Sequence, residues 1–271
     1  MAEFVGSVTS VRRAHGGHKG ALDESSRGPP DNSGATNKKE LHLDTTPSTR
    51  SNVGLARWAP LGGILYVVLF VIGIIVMFDG EPGSEASPAK VMAYYAKSSH
   101  RDKIAIAWII AGLGVFFFLW FLSSLRQAVR RLEGEDGFLT GLTTIGGAIY
   151  ATLAFAALAV NMGIRTMSDD TYHHTVYPGL IHAADDASYV LHATGGAGAS
   201  AMIIAATIAG MRARAIPAWA GWLGVIAGIL ALGSIIFFPQ AAIGIWILVV
   251  SGGLFMRGMR SGETGAPAAP A

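Results

Sequence analysis

The sequence has no cysteine and few charged residues, and both shortages limit what the chain can be. Without cysteine it has no disulfide, no thiolate metal ligand and no thiol nucleophile. Only 14% of the residues are charged, whereas a soluble domain carries about a quarter. The formal net charge of +2 is too small to indicate a nucleic-acid-binding surface. This composition favours a membrane protein whose surroundings are the lipid bilayer, with no nucleic-acid partner.

Six apolar stretches contain no Asp, Glu, Lys or Arg, and they predict an all-α membrane protein, a six-transmembrane-helix bundle. Each of the first five is longer than about 20 residues, enough to cross the hydrocarbon core. The sixth is the shortest, so it must tilt little or be extended by the two phenylalanines before it. The predicted spans are residues 58–78, 104–125, 138–162, 187–211, 217–238 and 241–256.

Arginine distribution predicts the orientation of the bundle. Basic residues concentrate at one set of span ends, which the positive-inside rule assigns to the cytoplasm. The N-terminus and the C-terminus are then both cytoplasmic. The arginines that decide this are Arg126, Arg130, Arg131, Arg212, Arg214, Arg257 and Arg260.

The segments outside the spans divide into tails and loops. Residues 1–53 are polar and lack apolar periodicity, so we expect a disordered cytoplasmic tail ahead of a membrane domain over 54–258. Residues 259–271 form a second predicted disordered tail. In the first outer loop, Ser87 followed by Pro88 is a helix-start signal, which predicts a short interfacial helix over 89–98.

A weak internal repeat relates the first two spans to the third and fourth. Leu61 to Tyr66 matches Ile145 to Tyr150, and the same offset superposes Gly112 and Gly114 on later glycines. One interpretation is a duplicated helix hairpin in parallel orientation, as in some transporters. The other is that apolar spans share residues by composition alone. The sequence leaves both open.

The stretch 216–224, Ile-Pro-Ala-Trp-Ala-Gly-Trp-Leu-Gly, opens a span after a short basic loop. An outer loop with Tyr94-Tyr95 precedes a span that ends at Leu125-Arg126. In these features the chain resembles uncharacterised multi-span membrane proteins common in actinobacteria, a family of unknown function. The resemblance implies a six-span bundle in a bacterial inner membrane, and it implies no catalytic or binding residue.

Polar residues before and within the fourth span form the candidate site. At helical spacing they lie along one face, which we call the polar stripe; it comprises His182, Asp185, Asp186, Tyr189 and His192, and the loop residues His173 and His174 could fold over it. Imidazole and carboxylate are zinc ligands, so His182, Asp186 and His192 are candidate ligands of an outward-facing site. Alternatively, the loop is solvated and His192 is a packed histidine hydrogen-bonded to Tyr189, Asp185, Asn161 or Tyr66.

Function remains open among three classes of protein. The charge-free spans disfavour ion-coupled carriers, and no zinc-hydrolase motif is present. The leading interpretation is a non-enzymatic accessory protein that binds a membrane-protein partner, or a passage for a small neutral or lipophilic molecule, without a cofactor. A pH sensor that uses the outer histidine loop is the first alternative. A metal-dependent membrane enzyme is the second.

Small residues four apart predict close contacts between helices. The pairs are Gly147 and Ala151, Gly196 and Ser200, and Gly224 and Gly228. Because six spans offer many internal partners, packing within the bundle is favoured over a dimer interface.

Overall fold

A computed structural model describes residues 57–83, 85–134, 137–165, 173 and 177–263 of the chain. Within these residues the chain forms seven α-helices and no strand. Residues 1–53 and 264–271 of the predicted tails lie outside the described ranges. The helices are α1 (Leu61–Phe78), α2 (Pro88–Tyr95), α3 (Ser98–Glu133), α4 (Phe138–Arg165), α5 (Pro178–Arg212), α6 (Ala218–Leu232) and α7 (Phe237–Glu263).

Five of these helices are long and apolar enough to cross a membrane, which is the property of a multi-pass membrane protein. They are α1, α3, α4, α5 and most of α7. The all-helical class predicted from the sequence is therefore confirmed. Five of the six predicted spans correspond to helices of this length, and the remaining apolar helix, α6, is shorter.

The short helix is the fifth predicted span and not the sixth. The predicted span 217–238 is interrupted, because α6 has 15 residues, about 22 Å, and ends at Leu232. Ser234 Oγ donates a hydrogen bond to Ala231 O at 2.6 Å, and Gln240 Nε2 donates one to Ser234 O at 3.0 Å. These bonds stabilise a turn between α6 and α7. In contrast, α7 has 27 residues and reaches Glu263, beyond the predicted end of the membrane domain.

The long helices are neighbours in chain order, and the last returns to the first. Each of α1, α3, α4, α5, α6 and α7 packs against the next, and α7 packs against α1. At one end of the bundle the Trp58 and Phe255 rings lie 5.8 Å apart. There too, Arg257 Nη2 donates a hydrogen bond to Ala215 O at 2.6 Å. We call this the basic end, where α3, α5 and α7 finish.

Glycines set the distance between neighbouring helices. A Cβ on Gly146 of α4 would overlap Gly198 O and Met202 N of α5, so these backbones are in direct contact. The predicted small-residue pairs behave as expected, because each glycine faces another helix or turn. Gly147 faces Leu122, Gly196 faces Ala231 and Ser234, and Gly224 faces Thr207.

The predicted helix in the first outer loop is present as α2. Ser87 occupies the N-cap position and Pro88 the first helical position, although the Ser87 side chain makes no capping hydrogen bond. The helix ends at Tyr95, three residues before the predicted end. Val91, Tyr94 and Tyr95 are buried in a small cluster with residues of α3 and α5.

Candidate functional site

The polar stripe lies on one continuous helix. α5 begins at Pro178, nine residues before the predicted span, so the stripe from His182 to His192 is entirely helical. Its members lie in different surroundings: Asp186 is exposed, whereas His182 and His192 are partly buried. His173 is exposed and has a left-handed backbone, with φ of 56°. His174 lies outside the described residues.

Two members of the stripe link α5 to other elements. Asn161 of α4, which is buried, donates a hydrogen bond from Nδ2 to Asp185 Oδ1 at 3.0 Å. The same amide donates to Ser188 Oγ at 3.4 Å. Tyr189 donates its hydroxyl proton to Ile235 O at 2.5 Å, in the turn before α7. The first contact joins α5 to α4, as polar groups between transmembrane helices commonly do, and the second joins α5 to the turn between α6 and α7.

The environment of His192 is aromatic. Its ring stacks on Phe70 of α1, with centroids 5.3 Å apart and planes 15° apart. It also lies 5.7 Å from the Tyr150 ring of α4. The predicted hydrogen-bond partners are wrong: Tyr189 and Asp185 bond elsewhere as described above, and Asn161 bonds Asp185. Tyr66, the fourth predicted partner, bonds Tyr150.

The predicted ligands do not form a metal site in the part of the chain that the structure describes. No group of three His, Asp or Glu side chains there is arranged to hold a metal ion. His182, Asp186 and His192 are therefore not brought together as a three-ligand set. The rest of the outer histidine loop, residues 166–172 and 174–176, lies outside the described ranges. A site or a pH sensor that includes it stays a prediction.

A buried tyrosine pair is the polar contact that the sequence reasoning missed. The hydroxyl oxygens of Tyr66 in α1 and Tyr150 in α4 lie 2.5 Å apart. Both residues are almost fully buried, and both rings pack edge-on against Phe118 of α3. The signal was present in the sequence, because the two tyrosines are 84 residues apart, which is the offset of the internal repeat.

A second polar feature is a cleft at the basic end, between the end of α3 and the beginning of α4. Its volume is about 670 Å³. In the sequence, the position of the cleft's arginines predicts only the orientation of the bundle. Arg126 and Arg130 are one turn apart on α3, followed by glycines in the connection and in α4. The residues that line the cleft include Arg126, Arg130, Gly134, Gly141, Thr144 and Ile145.

Glu133 holds the two helices of the cleft together. Its carboxylate accepts hydrogen bonds from Leu139 N at 2.6 Å and from Thr140 N and Thr140 Oγ1 at 2.8 Å. These are free amide groups of the first turn of α4, so Glu133 acts as a cap supplied by the preceding helix. Arg212 of α5 is close enough to act on this carboxylate electrostatically.

No protein-family model, curated protein or solved structure matches this chain. The resemblance to actinobacterial multi-span membrane proteins therefore stays a prediction. Any account of function rests on the packing and chemistry of the bundle itself.

Proposed function

We propose that the chain is a non-enzymatic membrane protein that binds a membrane-protein partner. In this proposal it crosses a bacterial inner membrane six times, with α6 as a short fifth span and with the basic end in the cytoplasm. The observation that carries the proposal is the filled interior of the bundle. Tyr66, Phe118, Phe121 and Tyr150 are buried together in its core. Two members of the polar stripe, Asp185 and Tyr189, bond neighbouring elements.

A filled interior favours a partner-binding protein over a passage. A passage for a neutral solute needs a continuous cavity, whereas the cleft described above lies at one end. A metal enzyme needs converging ligands, and His182, Asp186 and His192 do not belong to any group of three such side chains within the described residues. The passage remains the second candidate, because a lipophilic molecule could move along the outside of the bundle.

The partner-binding surface in this proposal is the outer face of α6. The buried face of this helix is made of Gly221, Gly224, Gly228 and Ala231. Its large apolar residues point away from the bundle. Because α6 is shorter than the hydrocarbon thickness of about 30 Å, association with another transmembrane helix would relieve the mismatch. The exposed residues of the face are Trp219, Trp222, Leu223, Ile226 and Ile229.

Site-specific crosslinking in native membranes tests this surface. A photoreactive amino acid at Ile226 of α6, which is 50% exposed, is compared with one at Ile75 of α1, which is 62% exposed. We expect a discrete protein adduct at Ile226 and only lipid adducts at Ile75. The same adduct at both positions would show that α6 is not a specific surface.

A flux measurement separates the two candidates. The purified chain in proteoliposomes should admit a small neutral solute such as glycerol no faster than protein-free vesicles do. Saturable uptake that depends on the chain, without a specific adduct at Ile226, would favour the passage and reject the partner-binding proposal.

A further inference from the structure

The two arginines of the basic-end cleft have no acidic partner in the described part of the chain. No ion pair joins Arg126 or Arg130 to a described carboxylate, and both side chains are exposed on the same face of α3. The nearby carboxylate of Glu133 is occupied at the beginning of α4. Two guanidinium groups are therefore available to a ligand, and their planar forks suit phosphate oxygens.

Three other polar groups of the cleft, in Thr144, Gly134 and Gly141, already have hydrogen-bond partners. Thr144 donates its hydroxyl proton to Thr140 O at 2.8 Å, within α4. The amide of Gly134 bonds Arg130 O, and that of Gly141 bonds Gly137 O. Since these three donors are already used, the two arginines are the charged groups among the described lining residues that can recognise a ligand. The ligand that this chemistry selects is an anion.

The wall of the cleft continues into the apolar surface of the bundle. Ile145 lines the cleft and is 61% exposed, and Ile149, one turn further along α4, is exposed as well. A molecule with its anionic group at Arg126 and Arg130 would therefore lay an apolar chain along α4. A free phosphate would make no use of this surface, whereas a phospholipid has both parts.

We propose that this cleft binds the phosphate headgroup of an anionic phospholipid. Its volume of about 670 Å³ accommodates more than a phosphate, and it falls in the range of small-molecule sites. Basic pockets between transmembrane helices are a recognised way to hold anionic headgroups. The headgroup contacts Arg126 and Arg130, and an acyl chain lies beside Ile145 and Ile149. This inference is independent of the identity of any protein partner.

Native mass spectrometry of the full chain in detergent micelles tests the proposal. Dioleoylphosphatidylglycerol and dioleoylphosphatidylcholine are titrated separately as probes. We expect one phosphatidylglycerol to be retained in preference to phosphatidylcholine. The double variant Arg126→Gln/Arg130→Gln should weaken that binding about tenfold or more, because it removes the charge-assisted hydrogen bonds.

Two further variants test whether lipid binding depends on the cleft or only on the net positive charge of this end. Arg131→Gln removes a charge from the adjacent residue of α3, which does not line the cleft, so binding should change less than about twofold. Gly141→Leu keeps both arginines and fills the cleft, where a Cβ on Gly141 would meet no atom within 4 Å. It should weaken binding as strongly as the double variant. Because leucine favours the helix over glycine, this variant should fold even if the arginine variant does not.

Three results would overturn the proposal. An equal loss in Arg131→Gln would mean that net charge alone attracts the lipid. Full binding in Gly141→Leu would place the lipid elsewhere. In a third arm, inorganic phosphate is titrated against the lipid-free chain; binding of phosphate that depends on Arg126 and Arg130, without any preference for phosphatidylglycerol, would identify a soluble phosphate as the ligand. A melting curve of each variant establishes that it is folded.

Discussion

Replacing the buried tyrosines by phenylalanine should reveal how strongly they are coupled. The variants are Tyr66→Phe, Tyr150→Phe and the double replacement. The two residues are 3% and 4% exposed, and their hydroxyl oxygens lie 2.5 Å apart. Each substitution removes one oxygen and keeps the ring that packs on Phe118. The measured effect therefore comes from the hydroxyl pair and not from a cavity.

The expected magnitudes follow from burial. A single replacement leaves the other hydroxyl unpaired, which costs about 1–3 kcal/mol in a protein interior. Hydrogen bonds within membrane bundles contribute about 0.6 kcal/mol on average and at most about 1.7. We therefore expect each single variant to lose about 1 kcal/mol of unfolding free energy. The double variant strands no hydroxyl and should lie within about 0.5 kcal/mol of wild type.

The assay is reversible unfolding by dodecyl sulfate in mixed micelles, followed by circular dichroism. Tyr177→Phe is the matched control, because Tyr177 is 56% exposed and its replacement should change little. The double-mutant cycle should give a coupling of about 1–2 kcal/mol. A double variant that loses the sum of the two single losses would refute the reasoning, since the hydroxyls would then act independently.

Two further predictions concern small residues in the bundle. Gly146→Ala should lower the unfolding free energy by about 1–3 kcal/mol, because its Cβ would meet the backbone of α5; Gly112→Ala, which points into open space, should be neutral or stabilising in the same assay. Ser251→Ala should be neutral or stabilising by up to about 1 kcal/mol, because the buried Ser251 hydroxyl has no partner within the described residues. Ser234→Ala should instead lower the unfolding free energy by about 1 kcal/mol, because it removes the hydrogen bond to Ala231 O at the end of α6. A larger loss in Ser251→Ala than in Ser234→Ala would contradict this prediction.

Hydropathy predicts the apolar core of each helix better than its ends. Charge-free runs located every long helix, because a bilayer-spanning helix cannot leave charged groups in hydrocarbon. The helices themselves continue beyond those runs. α3 extends to Glu133 and α5 begins at Pro178, since polar residues form helix equally well outside the hydrocarbon.

The turn that shortens α6 could not be predicted from hydropathy. Apart from Gly233 and Ser234, the sequence from Leu232 to Ile236 is apolar, so a hydropathy window sees no interruption. The turn depends on hydrogen bonds made by Ser234 and Gln240. The Ser234 hydroxyl bonds Ala231 O, three residues earlier, as a serine inside a continuous helix also does, so this bond does not distinguish a turn from a helix. The bond that spans the turn is the one from Gln240 to Ser234 O, and it depends on where Gln240 lies in three dimensions.

For the polar stripe, the sequence likewise could not predict which side chains would be in contact. α5 is continuous through the stripe, so its members keep the helical spacing. The spacing could not say which helix each member meets, because that depends on which helices are neighbours. His192 meets Phe70 and Tyr150, so its surroundings are aromatic where hydrogen bonds were predicted.

The internal repeat relates the helix contacts of the first hairpin to those of the second. The hydropathy of each span alone does not predict these contacts. Gly62 and Gly146 are equivalent by the 84-residue offset, and each lies against the backbone of the following long helix. Gly114 and Gly198, also equivalent, lie against the preceding one. The two hairpins are thus assembled through the same positions, as expected if the second copies the first.

The repeat also identifies where the two hairpins differ. Trp108 of α3 is equivalent to His192 of α5. Trp108 donates a hydrogen bond from Nε1 to Leu158 O at 2.9 Å, and this bond joins α3 to α4. His192 makes no such bond in the described structure and stacks on aromatic rings instead. The two equivalent rings therefore act differently: Trp108 joins helices by a hydrogen bond, and His192 does so by stacking.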